Sequence, residues 1–367
     1  MKILISTHHF LGYTGTEIYI ISLIKELLKN GHQVVFYSKY LSLITDSLKN
    51  FKNLEIVSNL SLISKYNFDI IHTNHNINAI ELRNYFPNVP LIFHSHGTKP
   101  FLEQPPIHDV NINKYLAVSE YVKKNLISKG VHPSLISISR NLVDEKVFFE
   151  INHINSKPRK ALIFSNYNDS TKDNLIMDAC KASRIKFDFI GGYYGQIENN
   201  SLNSVLNKYD LVFTAGRGAM ESLLAGRATI IINSRKMGKM VTPLNFKKMI
   251  KNNLSGNYYC FKITKKRLES EIKKYNPKNS QKLSLLTKEY FGSSQNIKSL
   301  IAEYQQVIDN FKSKTFDHNT NNYIFNTIKT TRDYCQLEYF HTKQELDIIK
   351  KSKVYKIYQL LKNLKNK

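Results

Sequence analysis

Apolar positions over the first 310 residues follow two alternating rhythms: short runs rich in β-branched residues, and longer stretches in which apolar residues recur every three or four positions. The short runs predict strands buried on both faces, and the longer stretches predict helices that cover them, so together they predict parallel sheets in an α/β fold. KILIS at 2–6 predicts the first strand. Between Glu17 and Lys29, Ile18, Ile21, Leu23, Ile24, Leu27 and Leu28 fall largely on one helical stripe, which Asn30-Gly31 ends. QVVFYS predicts the second strand, followed by NLEIVS at 53–58, FDIIHT at 68–73, PLIFHSH at 90–96, KYLAVS at 114–119 and ISISR at 136–140. These elements predict one doubly wound, Rossmann-like domain over residues 1–150.

Asn141 to Lys160 carries mixed charge, Lys157-Pro158 and no clear period, which predicts an interdomain linker. A second run of strands then begins: KALIFS at 160–165, KFDFIGG at 186–192, YDLVFTAG at 209–216 and ATIIINS at 228–234, with YYCFKI at 258–263 as a weaker candidate. This predicts a second Rossmann-like α/β domain over 151–310. From Phe311 the pattern turns helical without strands, predicting a helical extension over 311–367. Its last 18 residues hold seven Lys and no acid, and Val354, Ile357, Tyr358, Leu361 and Leu364 recur at helical spacing. A basic amphipathic helix of this kind suits an anionic membrane surface, though it could also pack on the protein itself or on a partner subunit.

Composition narrows the classes. With 42% hydrophobic and 22% charged residues in 367, the chain can build two cores, which excludes disorder as its main state. The net charge of +24 points to an anionic partner, partly against a solvating background of Lys and Asn. Cys180, Cys260 and Cys335 stand far apart without a CxxC pair, so no structural metal site is expected. MKILISTHHF lacks the apolar run of a signal peptide, and no long uncharged apolar stretch follows, so a cytoplasmic protein is expected.

Three turns carry candidate chemistry. TGTE at 14–17 lies between the first strand and helix, where Gly15 and Thr16 can bring the backbone close to a ligand at a helix N-terminus, or simply make a tight βα turn. FHSHG at 93–97 puts His94 and His96 on one side of a strand near the carboxyl edge of the sheet, as hydrogen-bond donors or as acid–base groups. The richest segment is YDLVFTAGRGAMESLLAGRATIIIN at 209–233: a strand, a Gly-rich turn, a short helix and another buried strand. There Gly216, Gly218 and Ala219 open a helix whose amides, with the Arg217 guanidinium, could hold a diphosphate. Glu221 and Ser222 follow one turn further in, where a carboxylate can accept two hydrogen bonds from a ribose diol.

MESLLAGRATII resembles the second half of the donor-binding motif of retaining GT-B glycosyltransferases of family 4, in which two glutamates stand eight positions apart before a small-residue helix and a Gly. Glu221 is similar to the second glutamate, which contacts the nucleotide ribose; Phe213 occupies the first position. TGTE followed by NGHQVVFYS, then FDIIHTN, FHSHG, AVSEYVKKNL and ISISRNLVDEKVF resemble further family segments in order, so the resemblance covers roughly residues 1–310. Where the family reads N-G-V-D, Asn141, Val143, Asp144 and Phe148 match and Leu142 replaces the glycine. Members usually carry an Arg and a Lys after the first strand of the second domain; here ALIFSNYNDSTKDN offers only Lys172, leaving Arg217 to supply the other charge.

The resemblance implies a glycosyltransferase that takes a sugar from a nucleoside diphosphate-sugar, with retention and without a required cofactor, and passes it to a glycan or lipid-linked acceptor. In that reading Arg217, His94 and His96 are the catalytic candidates, and Gly15, Thr16, Lys172, Gly216, Gly218, Ala219, Glu221 and Ser222 bind the donor. A peripheral contact with the inner face of the membrane would run through 350–367. The missing glutamate and Arg keep open an inactive, transferase-like assembly subunit, and a sugar-nucleotide epimerase shares the same fold. No RRM, KH, zinc-finger or helix-turn-helix signature supports a nucleic-acid partner.

Overall fold

The computed structural model describes residues 1–106, 110–165, 169–191 and 199–312, with backbone alone at 199–201. The predicted tail helix at 350–367 lies outside the described residues, and no described helix is long and apolar enough to cross a membrane. All described residues fall in one compact unit.

The first sheet contains β1 (Lys2–Phe10), β2 (Gln33–Leu41), β3 (Leu54–Val57), β4 (Ile70–Thr73), β5 (Leu91–Ser95), β6 (Lys114–Ala117) and β7 (Ile136–Ile138). They are parallel neighbours in the order β3-β2-β1-β4-β5-β6-β7. The helices interleaved with them are α1 (Gly15–Lys29), α2 (Asn76–Tyr85) and α3 (Glu120–Ser128). The second sheet holds β8 (Lys160–Phe164), β9 (Lys186–Ile190), β10 (Leu211–Thr214), β11 (Ala228–Ile232) and β12 (Met237–Met240), in the order β12-β11-β10-β8-β9. Between and after these strands come α4 (Ser170–Ala182), α5 (Asn199–Leu206), α6 (Arg217–Leu224), α7 (Phe246–Met249), α8 (Lys265–Ile272), α9 (Ser280–Phe291) and α10 (Ser293–Asp309). Two Rossmann-like lobes result, as the alternating rhythms predict.

Each sheet reverses its winding once, between β1 and β4 in the first and between β8 and β10 in the second. Helices leave opposite faces on either side of such a reversal, so a crevice opens beyond the carboxyl ends of the strands, where ligands of α/β folds bind. The chemistry-bearing turns of the sequence lie at these two places.

Two elements differ from the sequence reading. β1 runs on to Phe10, because His9 and Phe10 still pair with Tyr40 and Leu41 of β2. YYCFKI at 258–263 forms no strand; Phe261 makes a single antiparallel bridge to Met237, and the edge strand is MGKM at 237–240, antiparallel to β11. Pattern reading misses that strand because two methionines around Gly and Lys carry little β signal.

The chain crosses between lobes twice, side by side. The Val143 amide donates to the Phe291 carbonyl at 2.9 Å, and the Ser293 amide returns the bond to the Val143 carbonyl at 2.9 Å. Leu142, Val143 and Phe148 are buried, so this stretch is a packed crossing and not a loose linker. After Gly292, α10 returns to the first lobe and buries Ile297, Leu300, Tyr304 and Val307 in the same core as Ile20, Leu23 and Leu27 of α1. A helix late in the sequence thus completes the first core. Leu300→Ala should therefore cost about 2–5 kcal/mol, the usual range for truncating a fully buried Leu. Urea unfolding followed by circular dichroism would read this as a lower midpoint, and an unchanged midpoint would refute the docking of α10.

Candidate functional site

The second crevice is built from the ends of β10 and β8. All four residues of β10 are buried, and the chain turns sharply at Gly216, whose φ of 62° and ψ of −129° suit a residue without a Cβ. Its amide donates to the Leu254 carbonyl at 2.9 Å, fixing the turn that opens α6. Gly218 fits because a Cβ there would lie 2.5 Å from Thr214 Oγ1 and 3.0 Å from the Phe164 ring, so only glycine lets the helix close on both strand ends. Ala219 is buried, and the Ser222 hydroxyl is 2.9 Å from that of Thr229 on β11, inside the lobe.

Arg217 and Glu221 face each other one turn apart. Arg217 Nε donates to Glu221 Oε1 at 2.7 Å, while Nη1 donates to the Leu142 carbonyl at 3.0 Å and Nη2 to the Ser22 hydroxyl at 3.1 Å. The side chains are 9% and 3% exposed, so the pair is desolvated and spans α6, the lobe crossing and α1. Burial raises the Glu221 carboxyl above its ordinary value, and Arg217 pulls it back down. The two side chains that the sequence assigns to diphosphate and ribose are each other's partners here.

Across the reversal, β8 leads into α4, capped by Asp169, whose carboxylate accepts the Lys172 amide at 3.1 Å. Lys172 is buried, with Nζ 3.4 Å from Asp173 Oδ1 and 3.5 Å from the Ser165 hydroxyl. Lys172 and Arg217 therefore follow adjacent strands at the same sheet edge. Phe213, at the position of the family's first glutamate, is buried in the core on β10.

Beneath the first crevice lies a cluster of histidines, in which His72 and His94 are fully buried and His96 is partly exposed. His94 and His96 stand with ring centroids 4.3 Å apart, and His72 on β4 lies 5.3 Å from His94. His94 Nε2 donates to the Ser139 carbonyl at 3.2 Å, and its buried Nδ1 has no hydrogen-bond partner. His96 Nε2 lies 2.8 Å from Asn74 Oδ1, and the Asn74 amide donates to the Ser6 carbonyl. His75 Nδ1 accepts the His8 amide at 3.0 Å, which places its proton on Nε2. Burial lowers His72 and His96 to about 3 and holds His94 and His75 well below the ordinary imidazole value, with neighbouring histidines adding to the effect at His75, His94 and His96. Of the two roles open to His94 and His96, a neutral ring keeps hydrogen bonding and loses acid–base work near neutral pH.

Beside them sits a group that sequence reasoning missed. Glu17, the last residue of TGTE, is buried, accepts from the Thr14 hydroxyl and lies 3.9 Å from His9 Nε2. Burial raises its carboxyl to about 7, and nearby Glu103 adds to this. Glu103 accepts from the Thr16 hydroxyl at 3.1 Å and is also raised by burial. A Cβ at Gly15 would meet nothing within 4 Å, so that residue leaves open space at the turn. The signal was present in the sequence as His8-His9 and His72-Thr73-Asn74-His75, two polar clusters ending strands that turn out to flank the reversal.

Residues 13–147 match the family model of Glycosyltransferase Family 4. Over this first lobe the chain is similar to that family. No curated protein matches it by sequence. Among solved structures, a glycosyltransferase from Rickettsia africae is 17% identical with a TM-score of 0.59, covering 84% of this chain and 99% of its own. Anabaena Alr3699/HepE in complex with UDP is 11% identical with a TM-score of 0.60, covering 83% of this chain and 100% of its own. The lipopolysaccharide outer core galactosyltransferase WaaB is 14% identical with a TM-score of 0.54, over 83% and 100%. At these identities the likeness establishes the fold, which is GT-B, in agreement with the resemblance read from the sequence.

Two outcomes follow from the buried groups. The unfolded chain protonates its histidines near pH 6.5, whereas folded His72 and His96 resist to about 3. Their contribution is present above pH 6.5 and is lost as pH falls towards 3, at up to about 1.4 kcal/mol per pH unit for each group. Glu17 acts oppositely, losing stability as pH rises from 4.5 to about 7, and the raised Glu103 and Glu221 act in the same sense, but four histidines outweigh these carboxyls. The urea midpoint should be clearly lower at pH 5 than at pH 7.5; equal midpoints would mean that these histidines are solvated. Arg217→Ala should cost about 3–5 kcal/mol by stranding the Glu221 carboxylate, and Arg217→Ala with Glu221→Ala should cost less than the sum of the single changes. Additive losses in thermal unfolding would show that the pair is not coupled.

Proposed function

We propose that this chain moves a sugar from a nucleoside diphosphate-sugar to a glycan or lipid-linked acceptor, with retention of configuration. The observation that carries the reading is the Gly216 turn with the Arg217–Glu221 pair at the winding reversal of the second sheet. A diphosphate placed over the first turn of α6 meets the helix N-terminus and the Arg217 guanidinium, and Lys172 approaches from the end of β8. Breaking the sugar–phosphate bond leaves negative charge on the departing diphosphate, so fixed positive charge there lowers the barrier most. Glu221 then turns from Arg217 to the ribose diol.

The acceptor enters from the first lobe, where neutral His96, backed by buried His94, orients sugar hydroxyls, and Thr16 with Gly15 forms the turn beside them. Closure of the lobes would exclude water from the transfer. The Anabaena protein was solved with UDP and with UDP-glucose, which makes uridine the first base to test. The name of WaaB suggests an envelope glycan as acceptor, consistent with a cytoplasmic chain whose tail at 350–367 meets the membrane.

Buried Phe213 in place of the first glutamate favours a second reading, an inactive transferase-like subunit of a glycan assembly complex. A panel of UDP-, GDP-, ADP- and CMP-sugars, assayed for binding and turnover, separates the two. One donor should bind and turn over, and Glu221→Gln should weaken its binding by about 10- to 100-fold, the value of hydrogen bonds to a charged group. Binding without turnover would support the inactive subunit, and no binding by any donor would refute the donor site.

A further inference from the structure

Residues 235–268 contain ten Lys and Arg and no Asp or Glu, while the chain as a whole has 53 cations to 29 acids. This stretch is charged beyond the background, and it folds into one edge of the second lobe. Phe261 bridges to Met237 at the start of β12, which brings the 258–262 segment alongside that edge strand. Lys239 on β12 lies over the Tyr259 ring at 4.3 Å, Tyr259 stacks on Phe261 at 6.3 Å, and the Arg267 guanidinium lies over Phe261 at 4.9 Å. The result is a row of cation, two rings and cation running from β12 to α8. Lys262, Lys265 and Lys266 are exposed beside it, and Tyr258 is 43% exposed.

A lysine on an edge strand can be explained as a guard against strand pairing, which accounts for Lys239 alone. The first turn of α8 has no such explanation. Lys265, Lys266 and Arg267 occupy it without an acidic residue, although the positive end of a helix disfavours cations. A local rule broken three times in succession points to a functional demand.

We propose that this β12–α8 edge docks on an anionic lipid surface. Surface lysines and arginines gain from the negative potential of such a bilayer, and tyrosines settle at its headgroup level. A single-stranded nucleic acid would instead need open ring faces for its bases, and these rings are engaged with each other and with two cations. The proposal is independent of the transferase reading and concerns a different segment from the tail at 350–367.

The test measures co-sedimentation of the full chain with vesicles of phosphatidylcholine, with and without phosphatidylglycerol. Two triple variants remove equal charge: Lys262→Ser, Lys265→Ser, Lys266→Ser at the edge, and Lys52→Ser, Lys124→Ser, Lys129→Ser on exposed sites of the first lobe. Replacing lysines at the start of α8 relieves the helix dipole, so the fold is not at risk, and thermal midpoints should confirm this. The chain should bind only vesicles with phosphatidylglycerol, the edge variant should bind at least about tenfold more weakly, and the control should stay within about twofold. Absent binding by the unmodified chain, equal losses in the two variants, or no loss in the edge variant would overturn the proposal. So would tighter binding to single-stranded RNA with the same sensitivity to the edge lysines.

Discussion

Burying the Arg217 guanidinium is the requirement on which the arrangement of the lobes depends. A guanidinium cannot shed its charge, and out of water its N–H groups need acceptors in a fixed fork. Arg217 finds them in three places distant in sequence: Glu221 in its own helix, the Leu142 carbonyl in the crossing, and the Ser22 hydroxyl in α1. The turn that begins α6, the hinge and the first helix of the chain are therefore held in register by one side chain. The paired backbone bonds of Val143 with Phe291 and Ser293 sit in the same crossing, and the Ser293 hydroxyl reaches Glu26 of α1 at 2.9 Å. A ligand that recruited Arg217 would compete with its bonds to Leu142 and Ser22 in this junction.

The two crevices solve different electrostatic problems. In the second, cations and a helix N-terminus gather where a diphosphate would need them, and each cation is paired with a neighbouring carboxylate. In the first, burial keeps four histidines neutral and raises two carboxyls, so the groups there are polar hydrogen-bonding partners with no concentrated positive charge. A charged crevice in one lobe and a less charged one in the other is the division of labour that the proposed sugar transfer asks for.

The architecture was legible in the sequence because parallel strands buried on both faces announce themselves as continuous apolar runs. Gly216 and Gly218 announced the turn of the second crevice, since a positive φ and a close approach to Thr214 and Phe164 both call for glycine. What stayed hidden depends on contacts between distant residues. Nothing local shows that α10 belongs to the first core, that Met237–Met240 pairs as an edge strand, or that Arg217 reaches Ser22. Glu17 was passed over because an acidic residue in the first turn of a helix is ordinary, and only its burial among His9, Thr14 and Glu103 distinguishes it.

The most direct measurement is amide hydrogen exchange with and without whichever nucleoside diphosphate binds most tightly. Added protection should appear over 216–222 and at the start of α4 around Lys172, with reduced protection in the crossing at 141–145, because a ligand that recruits Arg217 draws it from the Leu142 carbonyl. Protection confined to the ends of β1 and β4, or none in 216–222, would contradict the placement of the donor at the second winding reversal.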